Sequence, residues 1–204
     1  MAEATSTQMS NFDEHKAAVE TWEAMLSAEV FVEGDFTFAS GLHATLKVDA
    51  EKLYEHPREL AVVMGHFAIF PDVENADVLL YVPDGMRQFI TQLGKELQKP
   101  VIDTIRRPGA NSKYDFIFKT PEDQERALSA KTPLIGEDVV TTLGSVAALR
   151  TLLSPEQSVH SLAMLLRGSV NPEYRAGLED HYLLIKEIPT DKDEFKLRLQ
   201  EERF

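Results

Sequence analysis

The sequence predicts an α/β protein, a mainly parallel sheet flanked by helices, with a small amino-terminal hood. Three observations carry that expectation. From Ala76 onward, short apolar runs alternate with segments of helical spacing, the order of a parallel sheet covered on both faces. The connections are short and rich in Gly, Pro and Asn. With 204 residues, 43% apolar and 27% charged, the chain can bury one sizeable core, and no repeat, low-complexity run or linker divides it. A single domain over 1–204 is therefore expected, with 1–70 as helix and hood and 71–204 as the core.

Taken in order, Phe12 to Ala28 places Ala18, Val19, Trp22, Met25 and Leu26 on one helical face. The stretch 29–57 alternates apolar and polar residues around Gly34 and Gly41, which predicts two short strands or a hairpin. A helix follows near Pro57, a residue favoured in the first turn. "ADVLLYV" (76–82) is a buried strand, "PDG" a turn, and "MRQFITQLGKELQ" (86–98) a helix ending before Lys99 and Pro100. "PVIDTIR" (100–106) is the next strand, "RPGANSK" (107–113) a loop, and "YDFIF" (114–118) strand-like. Thr120 caps the next helix, with Pro121 at its first position and acids in its first turn. "TPLIGED" (132–138) is a strand, followed by a helix from about Ser145 to Leu153. "SVHSLAMLLR" (158–167) fits strand or helix by periodicity, and its place after a helix selects a strand ending near Arg167. The strand "HYLLIKEIP" (181–189) and the charged helix "DKDEFKLRLQEE" (191–202) close the chain.

Bulk properties exclude several function classes. A formal charge of −13 leaves no dominant basic face for nucleic acid or an anionic membrane, so an anionic substrate needs local basic residues. Cysteine is absent, which removes disulfides, thiolate metal sites and cysteine nucleophiles. The six His show no H-x-x-x-H pair, so spacing predicts no transition-metal site. No run approaches the ~20 apolar residues of a membrane span, and residues 1–15 lack a basic region followed by an apolar one. Cytoplasmic residence is the expectation.

"LIGEDVVTTLGS" (134–145) carries the chemistry. In an open parallel sheet, ligands collect at the carboxyl ends of strands, which is where Glu137 and Asp138 fall. Thr141, Thr142 and Ser145 then offer hydroxyls beside backbone N–H donors, Gly144 allows close approach, and the start of a helix adds its dipole, all of which suit a phosphate. Two carboxylates aimed at that phosphate would repel it, so they face a neutral diol and accept hydrogen bonds from ribose hydroxyls. A ribose 5-phosphate satisfies both halves. The plain alternative is a strand followed by an ordinary capped helix.

This stretch resembles the phosphoribosyl-diphosphate motif of type I phosphoribosyltransferases, an apolar strand, two acids, then Thr-Thr-x-Gly-Ser. Its Thr-Thr and Ser resemble the orotate branch more than the purine branches, with Leu143 where that branch has glycine. "GDFTFASGLHATLKVDAEKLYEHPREL" (34–60) resembles the hood of orotate phosphoribosyltransferases, with Ala39 in place of a lysine and Leu42 in place of an arginine. "VPDGMRQF" (82–89) resembles the family's pyrophosphate loop, although Pro83 and Gly85 also suit a solvent turn. "IRRPGANSKYDF" (105–116) resembles its mobile loop, with Ala110 at a lysine position, Ser112 at a histidine position, and Lys113 as a substitute. "AMLLRGSV" (163–170) resembles the strand whose arginine engages the base carboxylate, and Arg167 is equally a surface residue at a strand end.

The resemblance implies transfer of ribose 5-phosphate from phosphoribosyl diphosphate to orotate, giving orotidine 5′-phosphate and pyrophosphate, in a cytoplasmic homodimer. Glu137, Asp138, Val139, Val140, Thr141, Thr142, Leu143, Gly144 and Ser145 would contact the ribose phosphate, and Asp84, Gly85, Arg106 and Arg107 the diphosphate. Thr141 and Arg167 would meet the base, and Asp138, Glu137 and Lys113 would be catalytic. Mg²⁺ would be held through substrate oxygens and water, with no direct side-chain ligand. Three alternatives stay open: the same fold acting on another base, because Ala39, Leu42 and Ala110 remove expected positive charge; a non-catalytic regulatory protein that binds ribose phosphate; and an unrelated doubly wound hydrolase, against which stands the absence of a nucleophile-elbow pattern.

Overall fold

The computed structural model of the protein describes residues 11–37, 43–83, 85–108 and 115–201. Helix α1 (Asn11–Ser27) buries Ala17, Ala24 and Met25. Its Trp22 ring stands 5.1 Å from Phe31 and 6.3 Å from Phe195, which ties the amino-terminal helix to the first strand and to the carboxyl-terminal helix. Strands β1 (Phe31–Thr37) and β2 (His43–Val48) pair antiparallel with a register shift between Glu33 and Phe36, the hairpin that the alternation predicts. Ala39 and Leu42, in the connection between them, lie outside the described residues. The hairpin is anchored far along the chain, since Thr45 N and Leu46 N both donate to Thr190 O, at 2.9 and 3.0 Å.

A 3-10 helix (Ala50–Glu55) leads into α2 (Pro57–Ala68), which starts at the expected proline and buries Leu60, Val63, Met64 and Phe67. The short helix α3 (Pro71–Asn75) was not expected from periodicity; five residues are too few to show a helical repeat, and Pro71 in its first turn is the only local signal. Strand β3 (Val78–Tyr81) is wholly buried, and α4 (Arg87–Leu97) packs Phe89, Ile90 and Leu93 inward.

The expected strand 100–106 is divided. Strand β4 (Val101–Ile102) joins the sheet beside β3, whereas β5 (Thr104–Arg106) leaves it and pairs antiparallel with β6 (Phe116–Phe118). Asp103 is the breakpoint: its N–H donates to Asp123 Oδ1 at 3.3 Å, and the neighbouring Thr104 hydroxyl donates to Tyr81 O at 3.0 Å. These side-chain bonds take the place of sheet pairing. Helix α5 (Pro121–Ser129) is capped as expected, Thr120 Oγ1 accepting from Asp123 N at 3.1 Å.

Strand β7 (Pro133–Val140), helix α6 (Gly144–Arg150), strands β8 (His160–Leu166) and β9 (Glu179–Ile185), and helix α7 (Lys192–Glu201) complete the chain. The main sheet has five strands in the order β4-β3-β7-β8-β9, all parallel. Strand alternation divides the core between its faces: Leu79 and Leu134 enter one cluster with α1, α2 and α4, and Val78, Leu80 and Ile135 enter the other with α6. Because every strand runs the same way, their carboxyl ends share one edge, and that is where β7 delivers its acids.

Candidate active site

Asp138 is the centre of the arrangement. It follows Gly136 by two residues on β7, so both face the α4 side of the sheet, where a Cβ on Gly136 would strike Ile90. A Cβ on Gly85 would in turn overlap Asp138 Oδ2, so the loop at Gly85 passes directly against the carboxylate. Val139 N donates to Asp138 Oδ1 at 2.8 Å. Although Asp138 keeps partial solvent access, the dense protein around it pushes its carboxyl above the usual carboxylate range, an effect that the bond from Val139 N only partly offsets. Glu137 is 7% exposed and, one residue out of phase, projects from the opposite face of β7. The two acids therefore approach the strand end from different sides.

Tyr54, in the 3-10 helix after the hairpin, clamps the same loop. Its hydroxyl donates to Gly85 O at 3.2 Å and accepts from Phe89 N at 3.1 Å. Burial pushes this phenol up to about 12, with the nearby Asp138 charge acting in the same direction, so it stays a neutral donor at physiological pH. No sequence signal marks Tyr54, because a lone tyrosine between Leu53 and Glu55 belongs to no motif and its partners Gly85 and Phe89 lie more than 30 residues away. An open cleft of about 950 Å³ adjoins this loop, lined by Glu51, Tyr54, Gly85, Arg87, Gln88 and Thr91. None of Thr141 to Ser145 lines it, so the cleft marks only the Gly85 side of the arrangement.

The TTLGS segment leaves β7 as an exposed turn. Thr141 and Thr142 are exposed, Ser145 is half-buried, and Gly144 is buried at the start of α6. Leu143 holds φ 72° and ψ 5°, the left-handed conformation that explains a glycine preference here, while its side chain is 1% exposed in the α6 core. Val139 and Val140 also pack inward, so only their backbones can face a ligand. The turn is braced by the segment after β8: Arg167 N donates to Val140 O at 2.8 Å, Asn171 N donates to Thr142 O at 3.2 Å, and a Cβ on Gly168 would press on Thr141 O.

Arg167 thus sits beside the turn, and two donors of its guanidinium reach the chain ahead of Thr190. Nε donates to Ile188 O at 3.0 Å and an Nη donates to Pro189 O at 2.9 Å. Burial lowers its proton affinity. These carbonyls precede Thr190, which holds β2, so Arg167 connects the end of β8 to the hairpin.

Arg106 and Arg107 lie exposed on the β5–β6 ribbon, with Arg107 Nε bonded to Asp115 at 2.9 Å. Lys113, Ala110, Ser112 and Asp84 lie outside the described residues. A further charged group stands beside the 82–86 loop: Asp103 accepts from Tyr81 Oη and from Lys119 Nζ, both at 2.6 Å, with an Nη of Arg87 at 3.6 Å. Burial alone would raise the Asp103 carboxyl, yet the Lys119 and Tyr81 bonds outweigh it and the net direction is downward. A polar residue interrupting the apolar run "PVIDTIR" was the available signal for Asp103.

Comparison with solved structures then decides the fold. The orotate phosphoribosyltransferase from Aeropyrum pernix superposes with a TM-score of 0.61 at 17% identity, over 88% of this chain and 97% of that one. The chain has the type I phosphoribosyltransferase fold. The same fold relates it to the orotate phosphoribosyltransferase of Mycobacterium tuberculosis, crystallised with Fe(III) dicitrate (TM-score 0.56, 16% identity, 81% and 96% covered). It equally relates it to the adenine phosphoribosyltransferase of Saccharomyces cerevisiae (TM-score 0.56, 18% identity, 82% and 99% covered). Comparison of the sequence with family models and with curated proteins finds no match. Within this phosphoribosyltransferase fold, β7 and the TTLGS turn form the strand-to-helix junction on which the sequence motif was recognised. Among the described residues no helix is long and apolar enough to cross a membrane.

Proposed function

We propose that the protein transfers ribose 5-phosphate from phosphoribosyl diphosphate to orotate. The observation that carries this reading is the packing of Gly85 on Asp138, three residues before the TTLGS turn, which brings the loop after β3 to the carboxyl end of β7. A phosphoribosyl diphosphate has the same order of parts: a 5-phosphate, a ribose diol and a diphosphate. In this reading the 5-phosphate takes the N–H and hydroxyl donors of Thr141 to Ser145, the ribose hydroxyls donate to Asp138 and Glu137, and the diphosphate meets the backbone at Gly85, with Arg106, Arg107 and Lys113 closing over it. The bond from the anomeric carbon to the diphosphate oxygen breaks, a bond to the pyrimidine nitrogen forms as that nitrogen's proton passes to solvent, and pyrophosphate departs with the electron pair. The carboxylates stabilise the positive charge that develops on the ribose. Mg²⁺, a hard cation that takes oxygen ligands, would be held through the substrate's own oxygens and water beside Glu137 and Asp138, and would supply neutralisation of the diphosphate charge. A cytoplasmic homodimer, each subunit's β5–β6 ribbon serving its partner, belongs to the same reading.

A second reading keeps the reaction and changes the base. Two Arg167 donors are already engaged by Ile188 O and Pro189 O, and the fold is shared with an adenine enzyme as well as with orotate enzymes. Incubation with phosphoribosyl diphosphate, Mg²⁺ and a panel of pyrimidine and purine bases, read by pyrophosphate release and nucleotide formation, separates them. Nucleotide from orotate supports the first reading and nucleotide from adenine the second. Binding of phosphoribosyl diphosphate without turnover on any base would overturn both in favour of a regulatory protein.

A further inference from the structure

At the end of the sheet opposite Asp138, the amino ends of β8 and β9 meet α3. Strand pairing sets His160 against Glu179 and Leu162 against His181, so His160, Glu179 and His181 project from one sheet face. Asp72, in the first turn of α3, lies over them. Its Oδ1 is 2.9 Å from His160 Nδ1 and its Oδ2 is 3.1 Å from His181 Nε2. All three ligand atoms lie within 4.8 Å of one another. Glu179 Oε2 stands 3.6 Å from the same His160 nitrogen. Three separate segments supply these groups, which is why spacing along the sequence concealed them.

The cluster differs from an ordinary His–Asp hydrogen bond. His160 Nδ1 is buried and makes no aligned hydrogen bond, although Asp72 Oδ1 is 2.9 Å away. On the other side of the ring, Nε2 is 3.2 Å from Ser158 Oγ. When Nε2–H donates to that hydroxyl, Nδ1 presents a lone pair to a carboxylate, and two lone pairs at that distance repel unless a proton or a metal cation lies between them. An imidazole whose second nitrogen is held by an oxygen is the usual support of a metal-ligating histidine. The Phe70 ring, 5.7 Å from that of His181, covers part of the second imidazole.

We propose that Asp72, His160 and His181 bind a first-row divalent cation of the zinc type, with Glu179 as a fourth ligand at the rim. Two imidazoles with carboxylate oxygens select zinc-like ions over Mg²⁺ and Ca²⁺, which take oxygen alone. With bonds of about 2.0–2.2 Å, ligand atoms 2.9 and 3.1 Å apart subtend angles of roughly 90° at one ion. The ion links α3 to the edge of the sheet, far from the ribose-phosphate reading and independent of it.

The test is calorimetric titration of ZnCl₂ into the full chain, stripped with EDTA and desalted, at pH 7.5. One Zn²⁺ per chain is expected, with at least tenfold weaker binding in both Asp72→Asn and His160→Gln. Adding Zn²⁺ should raise the melting temperature of the unaltered chain and leave that of the variants unmoved. Co²⁺ in its place should give visible d–d absorption that the variants lack. If either variant fails to fold, His181→Gln, at the more exposed ligand, and Ser158→Ala replace it. Absence of saturable zinc binding, or equal binding by the chain and its variants, would overturn the site.

Discussion

Gly85 and Asp138 are 53 positions apart in sequence, yet the glycine's open side faces the carboxylate so closely that a Cβ would overlap Oδ2. The loop at Gly85 and the acid of β7 are therefore one packed unit, although they belong to separate stretches of the sequence.

Replacing Gly85 by Ala should force either the loop or the carboxylate to move, at a cost of about 1–3 kcal/mol, the usual range for overpacking. The loss should shrink when Asp138 is also Ala, because the clash disappears. Urea unfolding of the two single variants and the double variant measures this coupling. Additive losses would mean that Gly85 is not held by Asp138.

Asp138→Asn should separate stability from turnover. The raised carboxyl of Asp138 means that ionising it opposes folding, so its contribution is fully present below the ordinary Asp value of about 3.9 and is lost as pH rises through the folded value. Relative to Asp138→Asn, the unaltered chain should therefore gain stability as pH falls through that window, and the variant should be at least as stable at neutral pH. Transfer should slow by roughly ten- to a hundredfold, since a charge-assisted hydrogen bond contributes about 1.5–3 kcal/mol. Single-turnover rates and melting curves on one preparation check both. A less stable variant with a normal rate would remove Asp138 from the reaction.

Leu143 offers an inverted glycine test. Leu143→Ala keeps the left-handed backbone strain and leaves a cavity, a loss of about 2–5 kcal/mol. Leu143→Gly loses the same packing but relieves strain of roughly 1–2 kcal/mol. The glycine variant should thus melt above the alanine variant, the reverse of the order in a regular helix. The ordinary order would show that φ at this position relaxes freely.

Arg167→Lys should break one of the two carbonyl bonds that join β8 to the hairpin anchor, because an ammonium lacks the fork geometry. A loss of about 1–2 kcal/mol is expected, with faster amide exchange at Thr45 and Leu46. Unchanged exchange with a raised KM for the base would instead make Arg167 a direct base contact.

Much of the fold was legible in the sequence because local physics writes it there. Continuous apolar runs marked β3 and β7, Pro57 and Pro121 marked helix starts, and Thr120 marked a cap that forms as expected. The departures occur where side chains compete with the sheet: Asp103 ended β4 through bonds to Asp123, Tyr81 and Lys119, partners that periodicity does not reveal.

The sequence by itself determined the α/β class, most of the order of strands and helices apart from α3 and the break at Asp103, and the acid pair followed by TTLGS, since each depends on neighbours within a turn or two. Only the tertiary structure decided that Gly85 and Tyr54 meet around Asp138, that Glu137 and Asp138 leave β7 from opposite faces, and that Arg167 turns to Ile188 and Pro189. It also gathered Asp72, His160 and His181. The physical reason is common to all of them: a parallel sheet brings together strand ends that are distant in sequence, and which side chains then meet depends on register and facing, which no local pattern encodes.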